Sequence, residues 1–172
     1  MPLRKQDEVP KIPKTRKKTI DKLKKATPAK KSGETEYLCE FYFHYDQIKK
    51  KQFSVMTIST VKYFTYLTYE VSVDVRKTKE VIDISLLGLN TVPSYYVQPK
   101  PARTDLFFDD LLGTFVFNLI KQDGSINSVT VDFNIFKKEI SIKNVDLPDK
   151  LNNREFCKFS VAETMYTFGG NY

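Results

Sequence analysis

A chain of 172 residues with a formal net charge of +7 has room for one ordinary domain and favours polyanionic partners. With only two cysteines and one histidine, it is not a disulfide-rich scaffold or a zinc ribbon, and we expect no cofactor and no metal site. Its apolar runs fall short of the roughly 20 residues of a membrane-spanning helix, and the N-terminus lacks the apolar run of a signal peptide, so a cytoplasmic location is predicted.

Residues 1–35 form a basic arm that differs in composition from the rest of the chain. Residues 1–32 hold 12 of the 28 basic residues and 3 of the 21 acidic residues, a net charge of +9, whereas the remaining residues carry a net charge of −2. Like charges repel along such a segment and prolines interrupt any helix, so the free arm is predicted to be disordered. It has no aromatic residue that could stack on a base, which leaves phosphate groups as its expected target.

The basic side chains of the arm are the predicted phosphate-binding groups. They are Lys11, Lys14, Arg16, Lys17, Lys18, Lys22, Lys24, Lys25, Lys30 and Lys31. The expected partner is nucleic acid, with RNA favoured, or another polyanionic surface. The alternative for the same charges is a solvated extension that aids solubility or carries an import address.

Residues 36–172 show the period-two alternation of side chains that is typical of β-strands. In YLCEFYFHY, the side chains of Tyr37, Cys39 and Phe41 share one face of a strand. The alternation from Phe64 to Val75 predicts another, longer strand. Because no segment sustains a helical period, the predicted class is all-β, an antiparallel β-sandwich or partly open barrel of about eight or nine strands.

Consecutive strands are expected to form hairpins in which residues of the same face lie opposite one another. A loop at residues 122–124 sets Phe117 opposite Val129 and requires Gly124 in the left-handed conformation. The same matching predicts two further pairs, Val75 with Ile82 and Ile135 with Ile140.

Residues 88–113 interrupt the alternation with three prolines, adjacent tyrosines and three aspartates, which predicts a long loop that docks a protein partner. Its predicted contact residues are Tyr95, Tyr96, Pro99, Pro101, Phe107 and Phe108. The Pro-Lys-Pro run favours extended polyproline backbone. The alternative is an irregular edge strand, with the two tyrosines covering the end of the sandwich.

The chain offers little to a catalytic mechanism. His44, the only histidine, shares a strand face with Glu40, where a surface position is expected rather than a general base. Asp105, Asp109 and Asp110 lack the ligand spacing and the turn glycine of a calcium loop. We therefore expect no enzyme activity.

Charge and strand pattern together predict a non-enzymatic structural or binding subunit of a cytoplasmic assembly. Its arm would anchor it to structured RNA, a role like that of ribosomal proteins. The alternative is a protein-interaction module that binds a partner through a sheet edge or through residues 88–113, with the arm contacting acidic protein or anionic lipid.

Overall fold

The computed structural model describes residues 34–95 and 98–170, most of which lie in nine strands. The strands are β1 (Tyr37–Asp46), β2 (Lys51–Phe64), β3 (Thr68–Thr78), β4 (Val81–Val92), β5 (Lys100–Phe108), β6 (Gly113–Ile120), β7 (Ile126–Asn134), β8 (Glu139–Asp146) and β9 (Cys157–Val161). A 3₁₀ turn, Glu163–Met165, follows β9. Within the described ranges no helix is long and apolar enough to cross a membrane. The prediction of an all-β protein is confirmed.

The strands form two sheets, one in the order β5-β2-β1-β9 and the other in the order β3-β4-β6-β7-β8. The described strands do not close into a barrel, so the sandwich prediction is confirmed. Most strand pairs are antiparallel, as predicted, but each sheet also contains one parallel pair, β1 with β9 and β4 with β6, so both sheets are mixed. β4 and β6 are parallel because β5 crosses to the other sheet, so β6 starts from the same end as β4. β1 and β9 are parallel because β9 crosses from the sheet of β8 and starts from the same end as β1.

The core lies between the two sheets and takes alternate residues from each strand. Its largest fully buried side chains are Phe41, Phe43, Met56, Ile58, Val71, Ile82, Ile84, Phe117, Leu119, Phe133 and Phe156. The Phe117 ring is central, because its centroid lies 5.0 Å from that of Phe41 and 6.1 Å from that of Phe133. A core of this size stabilises the fold without a disulfide or a structural metal.

The β6–β7 hairpin has the predicted register. Phe117 lies opposite Val129, and Gly124 has a φ of +87°. A left-handed residue in this loop lets the two strands leave the turn with their apolar faces aligned. The prediction for this hairpin is confirmed.

The other two predicted registers are wrong by two residues. Val75 pairs with Ile84 across a tight turn at residues 79–80, and Phe133 pairs with Ile140 across residues 135–138. A shift of two residues brings the same two faces together, so matching of apolar residues cannot separate the two registers.

The long strand predicted from Phe64 to Val75 is also wrong. β2 ends at Phe64, the chain bends at residues 65–67, and β3 begins at Thr68 in the other sheet. The bend contains neither glycine nor proline, so the alternation runs through it without a visible break.

Residues 88–113 are mostly strand, and the prediction of one long loop is wrong over most of its length. β4 continues to Val92 and β5 occupies Lys100–Phe108. β5 is the edge strand of its sheet, and its pairing with β2 is irregular between Ser59 and Tyr63, as the edge-strand alternative predicts. Tyr95 is fully exposed, so it does not cover the end of the sandwich as that alternative expects. An edge position tolerates Pro101, because a strand there has a neighbour on one side only.

The strands run up and down, so every connection lies at one of two opposite ends of the sandwich. We call one of them the arm end, because Glu36 leads into β1 there. The same end also carries the bend at 65–67, residues 93–95 and 98–99, and the segments 121–125 and 147–156. The turn end carries the turns 47–50, 79–80 and 135–138 and the connection 109–112.

Candidate nucleic-acid interface

Ion pairs fix the start of β1 at the arm end. The Glu36 carboxylate lies 2.5 Å from Nζ of Lys121 and 2.7 Å from Nη2 of Arg154. The backbone N–H of Glu36 donates to the carbonyl of Phe156, and its carbonyl accepts from the N–H of Val61. The three charged side chains are only 12–14% exposed, so breaking the pairs would leave charges in a poorly hydrated place. The chain therefore enters the sandwich at a rigid point.

The two cations of this cluster also pack on one aromatic ring. Lys121 Nζ lies 5.4 Å and the Arg154 guanidinium 5.9 Å from the centre of the Phe156 ring. Partial burial lowers the pKa of Arg154, but the hydrogen bonds and charges of Glu36 and Asp123 outweigh that effect and raise the pKa. The cluster is structural, since its charges satisfy one another.

Three tyrosines at the arm end present their rings to solvent. Tyr63 lies near the end of β2, Tyr66 in the bend and Tyr95 after β4, with exposures of 64%, 85% and 101%. Lys62 and Lys100 are exposed at the same end. A tyrosine ring that is free on both faces can stack on a base, and a nearby lysine can contact the adjoining phosphate.

An open cleft of about 380 Å³ separates the bend from the residues that follow β4. Residues 65–68 line one side, and residues 91–94 with Gln98 line the other. The described residues of the lining include no acidic or basic side chain but several hydroxyl groups and one amide, which can both donate and accept hydrogen bonds. This chemistry suits an uncharged, flat, polar group such as a nucleobase rather than a phosphate.

The predicted contact residues of 88–113 do not share one surface. Tyr95 lies at the arm end, whereas Phe107 is in β5, 53% exposed on the outer face of its sheet. Phe108 faces the core, where its ring lies 6.0 Å from that of Phe117. Pro101 is partly buried in β5, and Pro99 is exposed just before that strand.

The other predicted site residues cannot be placed. Tyr96 lies outside the described residues, and so do the ten basic residues of the arm, from Lys11 to Lys31. Their proposed roles remain predictions from the sequence.

His44 lies on the outer face of the four-stranded sheet among aromatic rings. Its ring is 6.0 Å from that of Phe107, which in turn lies 5.7 Å from that of Phe53. Its Nδ1 atom is 3.4 Å from the hydroxyl of Thr167. In the described part of the chain no group of three or more histidines, cysteines or carboxylates could hold a metal ion.

A polar cluster on the same face ties β5 to β2. Thr57 Oγ1 donates to the carboxylate of Asp105 at 2.6 Å, and Arg103 Nε donates to the same oxygen at 3.0 Å. Partial burial lowers the pKa of Arg103, but the hydrogen bond and charge of Asp105 outweigh it and raise the pKa. The acid and the base neutralise each other, so the cluster holds the edge strand and leaves no reactive group.

Sequence reasoning missed Tyr63 and Tyr66 as candidate site residues. The alternation assigned Tyr66 to a continuous strand from Phe64 to Val75, in which it would share a face with Phe64, and it assigned Tyr63 no role. The bend instead carries Tyr66 outward. No local signal in the sequence marks this bend, because residues 65–67 contain neither glycine nor proline.

Comparison of the chain with models of protein families, with curated proteins and with solved structures finds no match in any of the three. Its function is therefore inferred from its own residues.

Proposed function

We propose that the protein is a non-enzymatic, cytoplasmic binding subunit that docks on RNA with its basic arm and its arm end. The observation that carries this proposal is the coincidence of a net charge of +9 in residues 1–32 with three exposed tyrosines at the end of the sandwich that this segment joins. The arm supplies affinity through phosphates, without sequence preference. The tyrosines add contacts to bases.

Structured RNA fits this combination better than duplex DNA does. A folded RNA offers phosphates along its helices and unstacked bases in its loops and bulges, whereas a DNA duplex keeps its bases stacked. The cleft between the bend and the residues after β4 has room for one such base.

Binding to an RNA hairpin with an unpaired loop, compared with a fully paired duplex of equal length, tests the role of the tyrosines. Replacing Tyr66 by alanine should weaken hairpin binding about 5- to 100-fold, because one base loses its stacking partner. Tyr66→Phe keeps the ring and should bind as the wild type does. Neither change should alter duplex binding. Equal hairpin affinities for the alanine and phenylalanine variants would contradict base stacking on this residue.

One observation favours a second candidate function, recognition of a protein. β5 is the edge strand of its sheet, and it presents Phe107 beside Phe53 on the outer face of the sheet. A partner that adds a strand to this edge would cover the phenylalanine. A photo-crosslinking residue at position 107 would attach to protein under this alternative, and a crosslink to RNA would exclude it.

A further inference from the structure

Two turns at the turn end have the same construction. They are residues 46–50 (DQIKK) and residues 134–138 (NIFKK). In each, the first residue ends a strand and its side-chain oxygen accepts a hydrogen bond from an N–H of the turn, at 2.9 Å for Asp46 and 3.0 Å for Asn134. The last residue has a left-handed backbone, with a φ of 50° at Lys50 and 55° at Lys138. The two hairpins lie in different sheets, so neither turn constrains the other.

Both turns present an apolar side chain to water. Ile48 is 94% exposed and Phe136 is 84% exposed, and each is followed by two lysines. An apolar residue at the tip of a turn adds nothing to the core, and a polar residue would leave the fold equally stable. These side chains therefore fit a contact outside the fold.

The lysines at the ends of the turns also indicate that these turns contact something outside the fold. A left-handed backbone favours glycine or asparagine, and a lysine there is held in a sparsely populated conformation. A third lysine, Lys79, occupies such a position in the turn at residues 79–80, with a φ of 50°. Strain of this kind is concentrated at functional sites. The positive charge is thus placed where folding alone would favour another residue.

The turns spread these groups over a broad surface. The turn 47–50 joins the two central strands of one sheet, and the turns 79–80 and 135–138 lie at opposite sides of the other. With strands about 4.8 Å apart and sheets about 10 Å apart, the three tips form a triangle with sides of about 10 to 15 Å. Leu112, in the connection 109–112 at the same end, is also exposed.

The tips of the turns are positively charged. The turns 47–50, 79–80 and 135–138 contain five lysines and one acidic residue, a net charge of +4. The two acids of the connection 109–112 are already engaged, Asp109 with Lys51 and Asp110 with Lys77. The outermost groups of this end are therefore apolar side chains and lysine ammonium groups, of which those of Lys49 and Lys138 also lie over the rings of Phe53 and Phe168.

We propose that the turn end docks on the surface of an anionic lipid bilayer. Ile48 and Phe136 enter the interfacial region, and the lysines of the turns contact lipid phosphates. A bilayer surface offers apolar and anionic groups side by side over the width of this end. Nucleic acid offers phosphates and flat bases, and an aliphatic isoleucine gains little from a base. The lipid surface is thus the better match for the two tips together.

This surface is separate from the arm end. Strands of 8 to 14 residues, β6 and β2 among them, lie between the two ends, a span of about 25 to 45 Å. Lipid docking here is thus independent of RNA binding by the arm and the tyrosines, and each can be tested without the other.

A tryptophan at the tip reports on insertion, because the natural chain contains no tryptophan. We expect the full-length Phe136→Trp variant to show a blue shift of its emission with vesicles of phosphatidylcholine and phosphatidylserine in equal amounts. Brominated acyl chains should quench that emission, and pure phosphatidylcholine vesicles should cause no shift. The matched control is Leu151→Trp, at a residue 90% exposed on the arm end, whose emission should stay that of a tryptophan in water.

The arm is present in every variant and could itself adsorb to anionic vesicles. If the protein bound vesicles through the arm alone, the tryptophan at position 136 would keep a water-like emission. Changing Lys49, Lys50, Lys137 and Lys138 to glutamine in the Phe136→Trp chain should weaken vesicle binding at least about tenfold, because each basic residue near an anionic surface contributes about fivefold. The proposal is overturned if the tryptophan at 136 keeps a water-like emission in vesicle-bound protein, if the control at 151 shifts equally, or if no vesicle binding occurs. A shift with RNA or an acidic protein instead of vesicles would also overturn it.

Discussion

The carboxylate of Glu36 lies 2.7 Å from the guanidinium of Arg154, at the point where the arm ends and the sandwich begins. Because both side chains are almost buried, removing the carboxylate leaves Arg154 and Lys121 with an excess of positive charge. We expect Glu36→Gln to lower the free energy of unfolding by about 2 to 4 kcal/mol in urea titrations. The matched control is Asp74→Asn, which breaks the exposed pair with Arg76 and should cost less than about 1 kcal/mol. Equal costs for the two changes would show that the Glu36 cluster is no more than a surface pair.

Deletion of residues 1–32 should leave the sandwich intact. All buried core residues of the described ranges lie after position 38. The melting temperature of the truncated protein should therefore stay within about 5 °C of that of the full chain, a difference that corresponds to roughly 1 to 2 kcal/mol in a domain of this size. A larger drop in calorimetry would mean that the arm is part of the folded structure.

The two faces of β6 should respond differently to truncation. Phe117 is fully buried, so Phe117→Ala removes a central ring and should cost about 3 to 5 kcal/mol of stability. Asn118, on the opposite face, donates to Asp83 at 2.8 Å and accepts from Ser128 at 2.6 Å, so Asn118→Ala should cost about 1 to 2 kcal/mol. Chemical denaturation of both variants measures the contrast. A cost for Asn118→Ala as large as that for Phe117→Ala would contradict the assignment of the two faces.

The thiol of Cys39 should be inert until the protein unfolds. Burial raises its pKa well above the usual value, and the hydrogen bond with Cys157, at a sulfur–sulfur distance of 3.1 Å, acts in the same direction. Alkylation of native protein at pH 8 should therefore be as slow as unfolding. Rapid labelling of position 39 without loss of structure would contradict this burial.

The same pKa shift links stability to pH. The folded state holds the Cys39 proton more tightly than the unfolded state does, so this contribution is complete below the pKa of the unfolded thiol, near 9.0, and is lost as the pH rises above it. Between pH 8 and pH 10, the free energy of unfolding should decrease by more in the wild type than in Cys39→Ala. An identical fall in both proteins would show that the thiol does not contribute.

The sequence predicts those parts of the fold whose conformation is set by residues nearby in the chain. The β6–β7 hairpin follows from Gly124, whose left-handed backbone selects one register, whereas the β3–β4 turn has only lysine and glutamate at its tip and gives no such signal. The two parallel pairs arise because β5 and β9 each cross from one sheet to the other, and strand alternation carries no information about the sheet to which a strand belongs.

The candidate site likewise combines features that can be read from the sequence with features that depend on distant residues. The charge of the arm is a property of composition and can be read from the sequence. The exposure of Tyr63 and Tyr66 depends on a bend at residues 65–67 that contains no glycine or proline, so only the three-dimensional structure shows it. Glu36 similarly gains its role from Lys121 and Arg154, which are far away in the chain.

If the arm binds the phosphates of nucleic acid, the affinity of the protein for a duplex must depend steeply on salt concentration. If about six of its 12 basic side chains contact phosphates at once, log affinity should fall against log salt concentration with a slope of about −5. Changing Lys17, Lys18, Lys24 and Lys25 to glutamine should flatten that slope by about 3 to 4 units, because each lost contact releases one counterion fewer. An unchanged slope in the quadruple variant, or tight binding that survives at about 0.5 M salt, would show that the arm does not bind nucleic acid through its phosphates.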